Sequence, residues 1–81
     1  MPLLVEDIPK SLDYDWLKKY IGGYAKVFSL EKLKERETSW DGILDIPYVI
    51  SRMMVVELLD GQQMDGCRIS IKELSLVVRR A

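Results

Sequence analysis

The first apolar run of the chain is Leu3-Leu4-Val5-Glu6-Asp7-Ile8, and it ends at Pro9. It is short, rich in β-favouring residues and closed by a proline, which is typical of a strand that ends in a turn. From Asp13 the apolar spacing lengthens to i, i+3, i+4 and i+7, which predicts an α-helix with Asp13 as its N-cap. The residues of this apolar stripe are Leu17, Tyr20, Ile21 and Tyr24.

The rest of the chain supplies three more strands and one more helix. A strand is predicted over 27–33, and the next begins near Trp40 and ends before Pro47, which lacks the amide hydrogen that a central ladder needs. Residues 49–59 have the length of a helix and stop at Asp60-Gly61, where glycine favours the left-handed conformation that closes a helix. A turn then precedes a last strand over 67–74. The predicted order is βαββαβ.

The composition is that of an ordinary globular domain, with 48% hydrophobic and 31% charged residues among 81. Twelve Lys and Arg nearly balance thirteen Asp and Glu, so the basic excess typical of nucleic-acid-binding domains is lacking. One cysteine, Cys67, and no histidine predict no disulfide, no metal site and no cofactor. The sequence shows no leader and no membrane-spanning run, so we expect the protein in the nucleus or the cytoplasm.

Two motifs, in this order, resemble those of the RNA recognition motif (RRM) family. Val5-Glu6-Asp7-Ile8-Pro9 resembles the end of the family's hexamer signature. The passage from Leu59-Asp60-Gly61 to Met64-Asp65-Gly66-Cys67-Arg68-Ile69 resembles its step from the second helix to the last strand. The resemblance implies an α+β, ferredoxin-like βαββαβ sandwich, in which a four-stranded antiparallel sheet carries two helices on one face. It implies an RRM-like domain over residues 1–75, followed by a C-terminal extension or linker over 76–81.

The same resemblance implies that the RNA-stacking side chains of the family are missing here. The aromatic position of the hexamer falls on Leu4, and those of the octamer Asp41-Gly42-Ile43-Leu44-Asp45-Ile46-Pro47-Tyr48 fall on Ile43 and Asp45. Each base–aromatic stack contributes about 1–3 kcal/mol, so three lost positions remove several powers of ten in affinity. Asp41 replaces a phosphate-binding Lys or Arg, and we expect both acids near the sheet centre to repel the RNA backbone.

A protein partner, either another domain or a homodimer mate, is therefore the favoured interpretation. Residues 49–59 are more apolar than a helix covering one face of a sheet requires, and Ile50 and Met54 are the predicted outward positions. A loosely amphipathic helix with a few tolerated apolar residues is the alternative. Leu4 and Ile43 add an apolar pair to the open sheet face, which is a second candidate surface.

Two large aromatic residues near the third strand allow separate predictions. Trp40 is either an anchor for a partner or a loop residue folded back on the hairpin. Tyr48 alternates with Leu44 and Ile46, and this spacing predicts that it belongs to the core.

Weak binding of single-stranded RNA is the alternative function. Its candidate residues are Arg68 and Lys72 on the last predicted strand, with Arg79 and Arg80 in the tail, although ordinary solvated charges explain them as well.

Catalysis is not expected. Acylphosphatase-like enzymes share the βαββαβ order, but they need a glycine-rich phosphate loop with an arginine after the first strand, and Glu6-Asp7-Ile8-Pro9-Lys10 lacks both. We therefore expect a non-enzymatic protein-interaction module within an RNA-processing or ribonucleoprotein complex.

Overall fold

The computed structural model describes residues 2–74, which form six strands and two helices. The four-stranded antiparallel sheet has the order β2-β3-β1-β6, and β4 and β5 form a separate hairpin. The predicted ferredoxin-like βαββαβ architecture is confirmed, and the small hairpin is an addition to it. The predicted extension over 76–81 lies outside the described residues. The elements are β1 (Leu3–Pro9), α1 (Tyr14–Gly22), β2 (Ser29–Glu35), β3 (Ser39–Asp45), α2 (Val49–Leu59), β4 (Gln63–Met64), β5 (Cys67–Arg68) and β6 (Ser70–Glu73).

Local signals place both ends of the helices where the sequence predicts them. The Asp13 side chain accepts a hydrogen bond from the backbone N–H of Trp16 (2.8 Å), which satisfies one of the free donors at the start of α1. After α2, Gly61 has a φ of 80°, the left-handed conformation that glycine adopts without steric cost. Neither helix is long and apolar enough to cross a membrane, among the residues that the structure describes.

The last predicted strand is divided in two. Asp65 (φ 46°) and Gly66 (φ 83°) form a tight turn between β4 and β5, as an Asp-Gly pair favours. The backbone of Ile69 then bonds to the segment after α2, because its N–H donates to Gln62 O (2.9 Å) and its carbonyl accepts from Gly61 N–H (2.7 Å). The prediction of one strand over 67–74 is therefore wrong, since β6 begins only at Ser70.

Alternation along the strands separates a buried face of the sheet from an open one. Leu3 lies opposite Leu44, and Val5 lies opposite both Gly42 and Ile71, so these residues share the face that carries the core. The fully or almost fully buried apolar residues are Leu3, Val5, Ile8, Leu17, Ile21, Ala25, Leu30, Trp40, Leu44, Ile46, Val55, Leu59, Ile69 and Ile71.

Trp40 is part of this core, as the second residue of β3. Its side chain is only 1% exposed, and its indole N–H donates a hydrogen bond to Leu12 O (2.9 Å), in the segment between β1 and α1. A Cβ atom on Gly42 would lie 3.0 Å from the indole ring, so the ring needs the glycine two residues further on. Both sequence alternatives for Trp40 are corrected, because it is neither a partner anchor nor a loop residue.

Tyr48 is also corrected, in the opposite sense. The structure leaves it 58% exposed, because β3 ends at Asp45 and the alternation of the strand does not continue to residue 48. Tyr48 is instead the N-cap residue of α2.

Arg52 attaches α2 to the rest of the fold. It is buried, its Nη1 donates a hydrogen bond to Ile46 O (2.9 Å), and its Nε lies 3.5 Å from a carboxylate oxygen of Glu73 in β6. Together with Val55 and Leu59 it forms the inward face of the helix. This arrangement fixes which side of α2 remains outward.

We predict that Trp40→Phe lowers the free energy of unfolding by about 1–3 kcal/mol, because it removes the hydrogen bond to Leu12 and leaves a small cavity. Urea denaturation followed by circular dichroism measures the effect. Trp16→Phe is the matched control, since Trp16 is half-buried on α1 and stacks on Tyr20, and it should cost less. Equal losses in the two variants would contradict the assigned role of the indole N–H.

Candidate interaction surfaces

The centre of the open sheet face is apolar but narrow. Leu4 in β1 lies opposite Ile43 in β3 on one side and opposite Lys72 in β6 on the other, and both apolar residues are half-buried. Their adjacency confirms the predicted apolar pair. At the β2 side of the same face, the cross-strand pairs are Ser29 with Asp45 and Glu31 with Ile43.

Asp41 is the centre of a hydrogen-bonded cluster on the open face. Two nitrogens of the Arg36 guanidinium donate to its two carboxylate oxygens, at 2.7 and 2.6 Å. The backbone N–H of Asp7 donates a third hydrogen bond to Asp41 Oδ1 (3.1 Å), at a point where β1 bulges and Asp7 has a φ of 62°. The Asp41 side chain therefore replaces a ladder partner that the bulge removes.

The pairing with Arg36 keeps the Asp41 carboxylate ionised and offsets its negative charge. Hydrogen bonding to Arg36 holds the pKa of Asp41 below its usual value, although burial of the carboxylate opposes the shift, and the bond from Asp7 N–H adds to the lowering. Asp41 is buried and paired, so the expectation that it repels an RNA backbone as a free acid is wrong. The positive charge of Arg36 offsets the negative charge of Asp41.

The remaining charges of the open face are of both signs, because Lys34 of β2 lies opposite Asp41 and forms no ion pair with the described chain. Glu6 is paired with Lys72, whose Nζ lies 3.5 Å from Glu6 Oε1. Glu31 and Asp45 form no ion pair with any part of the chain between residues 2 and 74. The face thus combines an apolar centre with two carboxylates and one lysine at the β2 side that are unpaired within the described chain.

The candidate phosphate contacts do not form one group. Lys72 lies on the open face and its side chain is 62% exposed, although Glu6 is its neighbour. Arg68 belongs to the β4–β5 hairpin, where it pairs with Gln63, and not to the four-stranded sheet. Arg79 and Arg80 lie outside the described residues.

The outward side of α2 is the second surface, and the sequence identifies part of it correctly. Ile50 and Met54 are exposed, as predicted, and Met53 is exposed as well. With Glu57 and Leu58 they line a groove of about 510 Å³ that is open to solvent. Val49 continues the apolar surface on the other side of Met53.

Tyr24 lines the far side of this groove. The sequence pattern instead places it on the apolar stripe of α1. It follows α1 and is exposed, whereas Leu17 and Ile21 of the predicted stripe are buried. Trp16 stacks on Tyr20 (4.8 Å between ring centroids), and Tyr20 meets Tyr24 edge-on (5.6 Å). The i, i+4, i+8 spacing of these three aromatic residues is the sequence signal for this row of ring contacts. We call Tyr24, Val49, Ile50, Met53 and Met54 the α2 patch.

The described residues offer no arrangement for metal chemistry. No group of three or more His, Cys, Asp or Glu side chains between residues 2 and 74 is placed to hold a metal ion.

Comparison with solved structures identifies the fold. The third RRM of Pes4 superimposes with a TM-score of 0.83 at 8% identity, over 99% of this chain and 98% of that one. The first two RRM domains of the yeast poly(U)-binding protein Pub1 give 0.81 at 13% identity, over 100% of this chain and half of that one. The RRM of Rna15 with bound RNA (GU) gives 0.75 at 14% identity, over 91% and 82%. The fold is that of an RNA recognition motif.

Comparisons at the level of sequence are negative. No protein-family model matches the chain. No curated protein matches it either.

Within the RRM fold, the three signature positions now have a location. Leu4 and Ile43 are neighbours across β1 and β3, and Asp45 lies two residues from Ile43 on the same face. None of the three is aromatic, so the open face between residues 2 and 74 has no side chain for base stacking at these positions. The sheet is preserved, whereas its stacking surface is not.

We predict that the stability contributed by the Arg36–Asp41 pair is lost in acid. Because the folded pKa of Asp41 is depressed below its unfolded value of about 3.8, the contribution is fully present above that pH and disappears as the pH falls through the folded pKa. Asp41→Asn should therefore destabilise the domain at pH 6 and much less at pH 2.5. Urea midpoints at both pH values measure this, and a difference that is the same at both would contradict it.

Proposed function

We propose that this domain is a non-enzymatic protein-interaction module with an RRM fold, acting within an RNA-processing or ribonucleoprotein complex. The observation that carries the proposal is the open sheet face, where Leu4, Ile43 and Asp45 stand at the positions used by stacking aromatics. Base stacking supplies about 1–3 kcal/mol per base, so a sheet without it binds single strands poorly.

Electrostatics support the same conclusion. Phosphate contacts from Lys and Arg supply much of the affinity of a nucleic-acid-binding surface. Here Arg36 is engaged by Asp41, Lys72 is paired with Glu6, and Asp45 carries an unpaired negative charge within the described chain. Lys34 is unpaired within the described chain, but a single lysine beside the unpaired acids Glu31 and Asp45 offers a polyanion little to bind.

The α2 patch supports a protein partner directly. Its five side chains are between 52% and 69% exposed, and all are large and apolar. Contiguous apolar surface of this kind is uncommon on a monomer and marks sites of protein contact. The two methionines can adapt their shape to a partner, because their side chains are unbranched and flexible.

The proposed cellular setting rests on the fold neighbours. The Rna15 domain is described with bound RNA and Pub1 as a poly(U)-binding protein. An RRM fold that has lost the stacking residues fits a subunit or domain that assembles with proteins of this kind.

Titration against fluorescent, sequence-randomised single-stranded RNA at roughly 50 and 200 mM salt tests the proposal. We expect no saturable binding in the micromolar range at either concentration. Salt-sensitive micromolar binding by a monomer would overturn the proposal and favour weak RNA binding through Lys72, Arg68 and the tail residues Arg79 and Arg80. Lys72→Ala and Arg68→Ala would then distinguish the sheet from the hairpin.

Restoring the stacking residues should restore RNA binding. We expect the triple variant Leu4→Phe, Ile43→Tyr and Asp45→Phe to bind the same RNA at least roughly a hundredfold more tightly than the natural domain, since three stacks each add about 1–3 kcal/mol. The matched control places three aromatics on α2 instead, as Ile50→Phe, Met53→Phe and Met54→Phe. An equal gain in both variants would show that added aromatic surface, and not the sheet position, causes the binding.

A further inference from the structure

The outward side of α2 has a pattern that is complementary to itself. Ile50, Met53, Met54 and Glu57 follow the spacing i, i+3, i+4 and i+7, which places them on one stripe opposite the buried Val55. Three of the four are apolar and lie near the start and the middle of the helix. The fourth is an acid in the last turns.

The charges of α2 are reversed with respect to its dipole. A helix carries partial positive charge at its N-terminus and partial negative charge at its C-terminus, so acids favour the first turn and bases the last. α2 has no acidic residue in its first turn and no basic residue in its last, and its N-cap residue, Tyr48, makes no side-chain capping bond. Glu57 lies near the negative end and forms no ion pair with the described chain.

An antiparallel pair of α2 helices corrects this reversal. If two copies cross with the symmetry axis between Met53 and Met54, residue 57 of one copy lies opposite residue 50 of the other, because both are 3.5 positions from the centre, about 5 Å along the helix axis. Each Glu57 carboxylate then faces the first turn of the other helix. In that turn the N–H groups of residues 49–51 precede the first backbone bond, from Arg52 N–H to Tyr48 O (2.9 Å).

The apolar area is sufficient for a reversible dimer. A large side chain presents on the order of 200 Å² when fully exposed, so the α2 patch presents on the order of 600 Å² at the exposures observed. Two copies would bury on the order of 1,200 Å², which is the lower end for specific interfaces. The groove between Tyr24 and α2, about 510 Å³, gives a side chain of the second copy a place to insert.

We infer that the α2 patch is the interface of a symmetric homodimer, with α2 packed antiparallel against α2 of a second copy and Glu57 of each copy at the N-terminus of the other helix. The inference rests on the proposed function, because it names the partner of the surface on which that function depends. The interface is isologous, so one substitution changes both of its halves.

Sedimentation of the full chain between about 1 µM and about 1 mM tests the inference. The mass should rise with concentration from the 9.4 kDa of one chain toward twice that value. Ile50→Glu sets a carboxylate against Glu57 of the second copy, so it should weaken the dimer by roughly tenfold or more. Leu33→Glu is the matched control, because Leu33 is a similarly exposed apolar residue on β2, away from α2, and should leave the mass unchanged.

Glu57→Lys gives a readout that a general loss of folding cannot mimic. Lysine suits the C-terminal end of α2 in a single copy but opposes the N-terminus of the facing helix. We expect a melting temperature at low concentration that is equal to or higher than that of the natural chain, together with a dimer weakened by roughly tenfold.

Two results would overturn the inference. One is a monomer at every concentration, and the other is a dimer that Ile50→Glu and Glu57→Lys leave unchanged. If the chain stays a monomer and also fails to bind RNA, the inference fails and the proposed function stands with a different partner. Salt-sensitive RNA binding by the monomer would remove both.

Discussion

The burial of Trp40 is the constraint on which both surfaces of the sheet depend. The indole ring of Trp40 lies over Gly42, and its N–H donates a hydrogen bond to Leu12 O. Residues 40, 42 and 44 of β3 therefore face the core. Side chains alternate strictly along a strand, so residues 41, 43 and 45 are committed to the open face. A shift of one residue would turn Asp41 and Asp45 into the apolar core and expose the tryptophan, which makes any other register of β3 costly.

The open face is stabilised by a polar cluster at the place where β1 loses its regular pairing. Asp7 adopts a positive φ, which aspartate tolerates better than most residues, and its N–H finds an acceptor in the side chain of Asp41. Arg36 then neutralises that carboxylate with two hydrogen bonds. A buried carboxylate without Arg36 would be destabilising, so the three residues act as one unit. Asp41 thus has a structural role.

The two helices cover the core in different ways. α1 buries Leu17 and Ile21 and leaves an aromatic ladder at its side, whereas α2 buries Arg52, Val55 and Leu59 and leaves its most flexible apolar residues outside. Arg52 explains why α2 cannot rotate to hide those residues. Its hydrogen bond to Ile46 O, just after β3, and its ion pair with Glu73 of β6 fix the inward side of the helix. The exposed patch is therefore a consequence of how the helix is attached.

Sequence reasoning correctly predicts the βαββαβ architecture, the ends of both helices, the lack of aromatic residues at Leu4, Ile43 and Asp45, and the outward positions Ile50 and Met54. These features depend on local chemistry, such as a cap at Asp13, a glycine at residue 61 and the period of apolar residues, which a short window contains. The three-dimensional arrangement was needed to show that Trp40 is buried, that Asp41 is paired with Arg36, that Arg68 and Lys72 lie in different sheets, and that Tyr24 borders α2. Each of these results depends on strand register or on packing between segments distant in sequence, and residue types alone do not specify which distant partners meet.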